Sequence, residues 1–124
     1  MIDVLVDVKL NTTGQIWWQA DDMSWSLGSC QSDRGNPGQS VYEGNQEYSQ
    51  QCHFNTSPTA WVFRLTCKNS YGGGWGEAFI TINGVNYCDD FSLGFEKILY
   101  IEANSSKCPS CLFQLLFCFS FILE

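Results

Sequence analysis

Apolar residues stand at Ile2, Val4, Val6, Val8 and Leu10 with Asp3, Asp7 and Lys9 between them, and this period of two constrains the chain more than any other feature it has. Successive side chains of an extended strand leave opposite faces, so the pattern predicts a strand with one buried face. The alternation returns at Met23 to Leu27, with Met23, Trp25 and Leu27 on one side and Ser24 and Ser26 on the other. It returns again at Trp61 to Lys68, where Trp61, Phe63, Leu65 and Cys67 oppose Val62, Arg64, Thr66 and Lys68. Lys97 to Glu102 reads as a further strand, and Gln15 to Ala20 is read as one too, closed by a turn at Asp21-Asp22. Asn83-Gly84 between the β-type runs Ala78 to Ile82 and Val85 to Cys88 predicts a tight hairpin.

Nowhere do apolar residues recur at i, i+3, i+4 and i+7 over the length that a helix needs. The expected fold is therefore all-β, a two-layer antiparallel β-sandwich of about six to eight short strands with no long helix. At 124 residues the chain has room for one core of ordinary size. The module is expected to span residues 1–103, with 104–124 a linker and apolar tail.

Seven cysteines with a single histidine indicate an oxidising compartment and disulfides rather than zinc. Cys30, Cys52, Cys67 and Cys88 fall inside the strand region, and four cysteines allow three connectivities. The pairing 30 with 52 and 67 with 88 is preferred because each closes a local loop of similar size. In the chain-entropy argument each such loop stabilises by about 3 kcal/mol. From Gly28 to Ser49 the composition is polar and glycine-rich without periodicity, which predicts a long irregular loop ordered by the Cys30 to Cys52 bridge.

Sequons at Asn11, Asn55 and Asn104 are candidate glycosylation sites and agree with secretion, although Pro58 follows the second. Thirteen acidic residues against six basic ones give a formal charge of -7, which repels phosphate backbones and excludes nucleic acid as a natural partner. Met1 to Asp7 lacks the basic start and apolar run of a cleavable signal, so the start reads as that of a fragment or a misplaced gene start.

At the other end, Leu112 to Leu123 is nearly all apolar but falls short of the ~20 residues of a spanning helix. No transmembrane helix is expected. Three readings of this tail stand: a lipid-anchor signal, a strand completing this sheet or a neighbour's edge, or an aberrant C-terminus. Cys108-Pro109-Ser110-Cys111 has the spacing of redox and zinc sites without the context of either.

The run Cys67-Lys68-Asn69-Ser70-Tyr71-Gly72-Gly73-Gly74-Trp75-Gly76, followed by Phe79 to Gly84 and Tyr87-Cys88, resembles a group of secreted modules. Their mark is a strand ending in cysteine, then Tyr-Gly-Asp-Gly-Trp, then a hairpin. The similarity extends upstream through Ser24 to Leu27, Cys30, and Tyr48 to Cys52, covering residues 2 to 102. It implies a small disulfide-bonded β-sandwich of the kind repeated on extracellular and cell-surface proteins of algae, other protists and bacteria.

This chain has Gly73 where those modules carry aspartate, and Gly76 where asparagine often follows the tryptophan. A calcium ion in the loop would be left with Asn69, Ser70, Glu77 and carbonyls, against the roughly six to eight oxygens it takes. No cofactor and no metal site is expected.

No catalytic residue stands out. His53 has no legible Ser-His-Asp or metal-ligand context, and the paired acids Asp21-Asp22 and Asp89-Asp90 read as solvated turn residues. Five tryptophans raise carbohydrate binding, for which Trp17, Asp22, Tyr71 and Trp75 would form a stacking platform. Against it, Trp18, Trp25 and Trp61 read as core, and Trp75 as a cover over the end of the sandwich. The expected function is a non-enzymatic structural or adhesive module of the extracellular surface, such as a repeating filament or matrix subunit. Its partners would be copies of itself or other extracellular matrix and surface proteins. The alternative is a lectin-like module whose partners are glycans.

Overall fold

The computed structural model describes residues 2–56, 60–104 and 118–122. Among them the chain forms two antiparallel sheets packed face to face, a disulfide-stabilised β-sandwich. Nine strands are present: β1 (Ile2–Asn11), β2 (Met23–Leu27), β3 (Cys30–Gln31), β4 (Glu47–Thr56), β5 (Ala60–Asn69), β6 (Phe79–Ile82), β7 (Val85–Tyr87), β8 (Glu96–Asn104) and β9 (Cys118–Ile122). The first sheet runs β4-β1-β6-β7 and the second β3-β2-β5-β8-β9. Three of the strands reach ten residues, longer than expected.

The alternation in β1 does what the pattern dictates: Val4, Val6, Val8 and Leu10 are buried while Asp3, Leu5, Asp7 and Lys9 face solvent. They meet Trp25, Leu27, Leu65, Cys67 and Ile101 of the opposite sheet in one apolar cluster. Burying each aliphatic side chain contributes about 1.5–3 kcal/mol. The β6–β7 hairpin turns at Asn83-Gly84 with both residues at positive φ, and its tip is tied to β1 by Asp7 N–H donating to Asn83 Oδ1 at 2.9 Å.

Both bridges join the layers. Cys30–Cys52 links β3 of the second sheet to β4 of the first, and Cys67–Cys88 links β5 to the residue after β7. The two loops they close span 22 and 21 positions, the pairing preferred from loop size. Disulfides of this kind belong to an oxidising, non-cytoplasmic environment.

Three expectations are corrected. Gln15 to Ala20 is no strand: Trp17–Ala20 makes one helical turn, α1, with Ala20 N–H bonded to Ile16 O and the Gln19 amide oxygen accepting from Ile16 N–H. This local capping outweighs the β-propensity of the aromatic pair.

The loop expected to Ser49 ends earlier, because Glu47–Thr56 pairs along the whole of β1, from Asn11↔Glu47 to Ile2↔Thr56. Its polar sequence hid it. As the edge strand it turns only Cys52 and Phe54 fully into the core, and Gln50 instead donates to Gln31 O at 2.8 Å.

The bridge is also not the sole source of order between Gly28 and Gln46. Tyr42 is buried there, its ring lies 4.8 Å from that of Tyr48, Arg34 sits over Tyr48, and Ser32 N–H donates to Trp25 O.

At the C-terminal side, β8 continues to Asn104, and Cys118–Ile122 pairs with it from Tyr100↔Ile122 to Asn104↔Cys118. The sandwich therefore extends past position 103. Cys108 and Cys111 lie outside the described residues. No described helix is long and apolar enough to cross a membrane.

Candidate functional site

The glycine-rich turn after β5 is a structured one. Asn69 N–H donates to Phe95 O at 2.8 Å, Gly94 N–H to Gly72 O at 2.9 Å, Gly74 N–H to Gly94 O at 3.0 Å and Trp75 N–H to Phe91 O at 2.6 Å. Residues 69–75 and 91–95 are thus laced together backbone to backbone. Gly74 is where only glycine fits. Its φ is +68°, and a β-carbon there would stand 2.5 Å from Leu93 N and 2.7 Å from Phe91 O.

Asn69 organises the turn from within. Its Oδ1 accepts from Tyr71 N–H at 2.8 Å and Gly72 N–H at 3.1 Å, while Nδ2 donates to Gly74 O. The side chain and carbonyl that a cation would need are thereby occupied by the turn's own amides. Ser70 Oγ donates to Asp22 Oδ1 at 3.1 Å, and Ser70 N–H to Asp22 O, so Asp22 clamps the turn from the start of β2. Among the described residues no group of three or more His, Cys, Asp or Glu could hold a metal ion.

Trp75 does not form part of a stacking platform. It is 0% exposed, its indole Nε1–H donates to Lys68 O at 2.8 Å, and its ring packs beside Phe91. Trp25 is buried as expected of a core residue. The side chains of Trp17, Trp18 and Trp61 lie outside the described residues.

Asp22 and Tyr71 do come together, at the rim of a depression of about 110 Å³ lined also by Gln15, Gln19 and Asn69. Gln15, singled out by no motif, is buried with its amide donating to Trp75 O at 2.6 Å. An isolated glutamine in a run misread as strand gives no sequence signal of that role.

The same two loops carry the most exposed large apolar side chains described: Tyr71 at 83%, Leu93 at 80% and Phe95 at 66%. Phe95 lies over Gly72, its ring within 2.9 Å of where a β-carbon would stand. A backbone held by so many internal bonds presents these side chains from a rigid base.

The sequon asparagines sit on strands. Asn11, half-buried at the end of β1, accepts from Thr13 N–H at 2.9 Å, and Asn55, exposed on β4, donates to Asp3 Oδ1 at 2.9 Å. Asn104 ends β8, and its side chain lies outside the described residues. His53 is exposed beside Asp3 at 3.6 Å.

The paired acids occupy turns that line separate depressions, Asp22 beside the glycine turn and Asp89-Asp90 beside β7. Lys97 hydrogen-bonds Asp90 at 2.8 Å and holds its carboxyl below the usual range, the opposite of what a general acid requires.

Compared with protein-family models, with curated proteins and with solved structures, the chain matches none.

Proposed function

We propose that this chain is a non-enzymatic structural or adhesive module of the extracellular surface, of the kind that repeats in a filament or matrix. The observation that carries the reading is the rim of Tyr71, Leu93 and Phe95, set on a pair of loops that their own backbone bonds make rigid. Exposed apolar side chains grouped on a rigid base favour protein contact, because little conformational entropy remains to be lost on binding. Two interlayer bridges supply durability outside the cell, and the second sheet's edge at β8 is closed by β9, a strand another copy could equally donate.

The test is assembly of the secreted, oxidised chain, followed by analytical ultracentrifugation and negative-stain electron microscopy. Copies associate with rising concentration, and the triple variant Tyr71→Ser, Leu93→Ser, Phe95→Ser stays monomeric with an unchanged melting temperature. A wild-type chain that remains monomeric at about 1 mM, where even weak contacts of ~4 kcal/mol register, and fails to bind extracellular matrix from its own source, refutes the reading.

A second reading, binding of glycans, is favoured by Tyr71 standing beside the amide and acid side chains of the same depression. With Trp75 sealed in the core and a volume of about 110 Å³ against the ~300 Å³ at which small-molecule sites begin, that place is a poor one for a sugar ring.

A further inference from the structure

Six side chains of this acidic sequence are lysine or arginine, and the described ones fall into two groups. Lys9 stands 3.9 Å from Glu47, Lys97 bonds Asp90 at 2.8 Å, and Arg34 donates to Val41 O at 3.2 Å and covers the Tyr48 ring. Arg64 and Lys68, in contrast, have no ion pair and no side-chain hydrogen bond among the described residues. Both lie on the outward face of β5, on either side of Thr66, while Leu65 and Cys67 turn into the core.

The two cations share one open depression of about 350 Å³, lined also by Ser26, Gly28, Thr66 and Glu96. The strand register builds it. Ser26 of β2 stands opposite Thr66, Gly28 N–H donates to Arg64 O at 2.9 Å, and Glu96 of β8 stands opposite Lys68. Four steps of strand set Arg64 about 13 Å from Lys68, a span that two long side chains can close over Thr66 from both ends.

The floor carries hydrogen-bonding capacity that the fold leaves unused. Thr66 is only 5% exposed, and neither its hydroxyl nor that of Ser26 takes part in a hydrogen bond among the described residues. The sealed, unbonded polar atom among those residues is the Tyr87 hydroxyl, so the Thr66 oxygen stays open to the depression that Thr66 lines. Hydroxyls so deeply set are nearly always bonded, and one left without a partner beneath two unpaired cations is suited to an anion's oxygens.

The charges fix the class. Arg64 and Lys68 against Glu96 leave the lining one net positive charge, enough for a monoanion and too little for a dianion. The chain's formal charge of -7 repels a densely charged polymer, so the anionic group has to come singly. A planar carboxylate offers two oxygens, whereas a guanidinium, an ammonium and two hydroxyls together serve the three terminal oxygens of a sulfate monoester. We propose that the outer face of the second sheet binds a monoanionic tetrahedral oxyanion, an organic sulfate ester, held between Arg64 and Lys68 with its oxygens on the hydroxyls of Thr66 and Ser26. The site uses none of the side chains of Tyr71, Leu93 and Phe95, so it stands or falls apart from the assembly role.

The probe is methyl sulfate, titrated into the ¹⁵N-labelled, oxidised full chain at constant ionic strength, beside acetate and, at a pH where it is mostly a dianion, inorganic phosphate. Methyl sulfate shifts the amides of residues 26–28 and 64–68 saturably and binds more tightly than either of the others. Arg64→Gln and Lys68→Gln each weaken it about fivefold or more. Thr66→Val weakens it as well while melting no lower than wild type, since it replaces an unbonded hydroxyl by a methyl group. Glu96→Gln raises the charge of the lining and narrows the gap between phosphate and methyl sulfate. Lys9→Gln, on the other sheet, and the triple variant Tyr71→Ser, Leu93→Ser, Phe95→Ser leave the affinity unchanged.

Shifts that do not saturate overturn the proposal, as does affinity that survives both Arg64→Gln and Lys68→Gln. Acetate or phosphate binding the unaltered chain as tightly as methyl sulfate refutes the charge and shape match, and with it the ligand class. Loss of binding in the triple variant places the site elsewhere and overturns it equally.

Discussion

The turn at residues 69–76 and the segment at 28–46 are both irregular, glycine-rich and polar in sequence, yet they are held by different means. The first is laced to residues 91–95 by main-chain bonds and roofed from inside by Trp75. The second has main-chain bonds as well, Ser32 N–H to Trp25 O and Gly35 N–H to Ser40 O among them, but side chains add the clamp: the Cys30–Cys52 bridge at its base, Tyr42 buried against Tyr48, and Arg34 over the Tyr48 ring at 5.0 Å. Backbone lacing tolerates side-chain change at the exposed positions, which leaves Tyr71, Leu93 and Phe95 free to face a partner. Side-chain clamping commits the residues it uses.

The difference between the two regions shows most strongly at Trp75. Trp75→Ala empties a large buried site under the laced turn and removes the indole's bond to Lys68 O, so urea unfolding loses about 3–5 kcal/mol, and amide exchange at residues 69–76 and 91–95 accelerates together. Exchange in the 28–46 segment changes only through the global loss.

Removing the other segment's clamp has the next largest effect. Cys30→Ala with Cys52→Ala costs roughly 3 kcal/mol for the loop it opens, and limited proteolysis then cuts between positions 31 and 46 while the glycine turn stays protected. Cleavage first at the glycine turn would reverse the assignment of which region depends on its bridge.

A smaller effect appears at alkaline pH. Burial pushes the Tyr42 phenol up to about 12, and burial does the same to Tyr87. Raised folded-state values mean that the neutral phenols stabilise the fold fully below pH 10, and that this share is lost as pH rises from 10 toward 12. Each phenol accounts for at most about 3 kcal/mol, and solvent screening lowers that bound. Absorbance at 295 nm follows the phenolates, and Tyr42→Phe removes the portion belonging to the 28–46 segment while Tyr87 keeps its own.

Legibility in the sequence followed the range of the interaction. Val4, Val6 and Val8 alternate with solvated residues because one face of β1 is buried, and Asn83-Gly84 turns because both residues accept positive φ; neither needs a distant partner to be read. Glu47–Thr56 was illegible because an edge strand buries only Cys52 and Phe54 fully, leaving too little apolar alternation to stand out. At Gln15 to Ala20 aromatic composition suggested a strand, and a capping glutamine decided for a turn of helix. Within the candidate site, Asp22 and Tyr71 line one depression, whereas Gln15, Leu93 and Phe95 reach the same loops from segments with no pattern that links them.

Residue order alone therefore settled what depends on neighbours along the chain, namely strand faces, the hairpin and an all-β class, while it left three connectivities for Cys30, Cys52, Cys67 and Cys88 and only a preference among them. Only the packed layers decided that Trp75 lies sealed rather than displayed, that the exposed apolar rim gathers on two loops, and that the bridges run 30 to 52 and 67 to 88. Those outcomes rest on which sheet covers which, a long-range choice made by the whole core at once, and no local period encodes it.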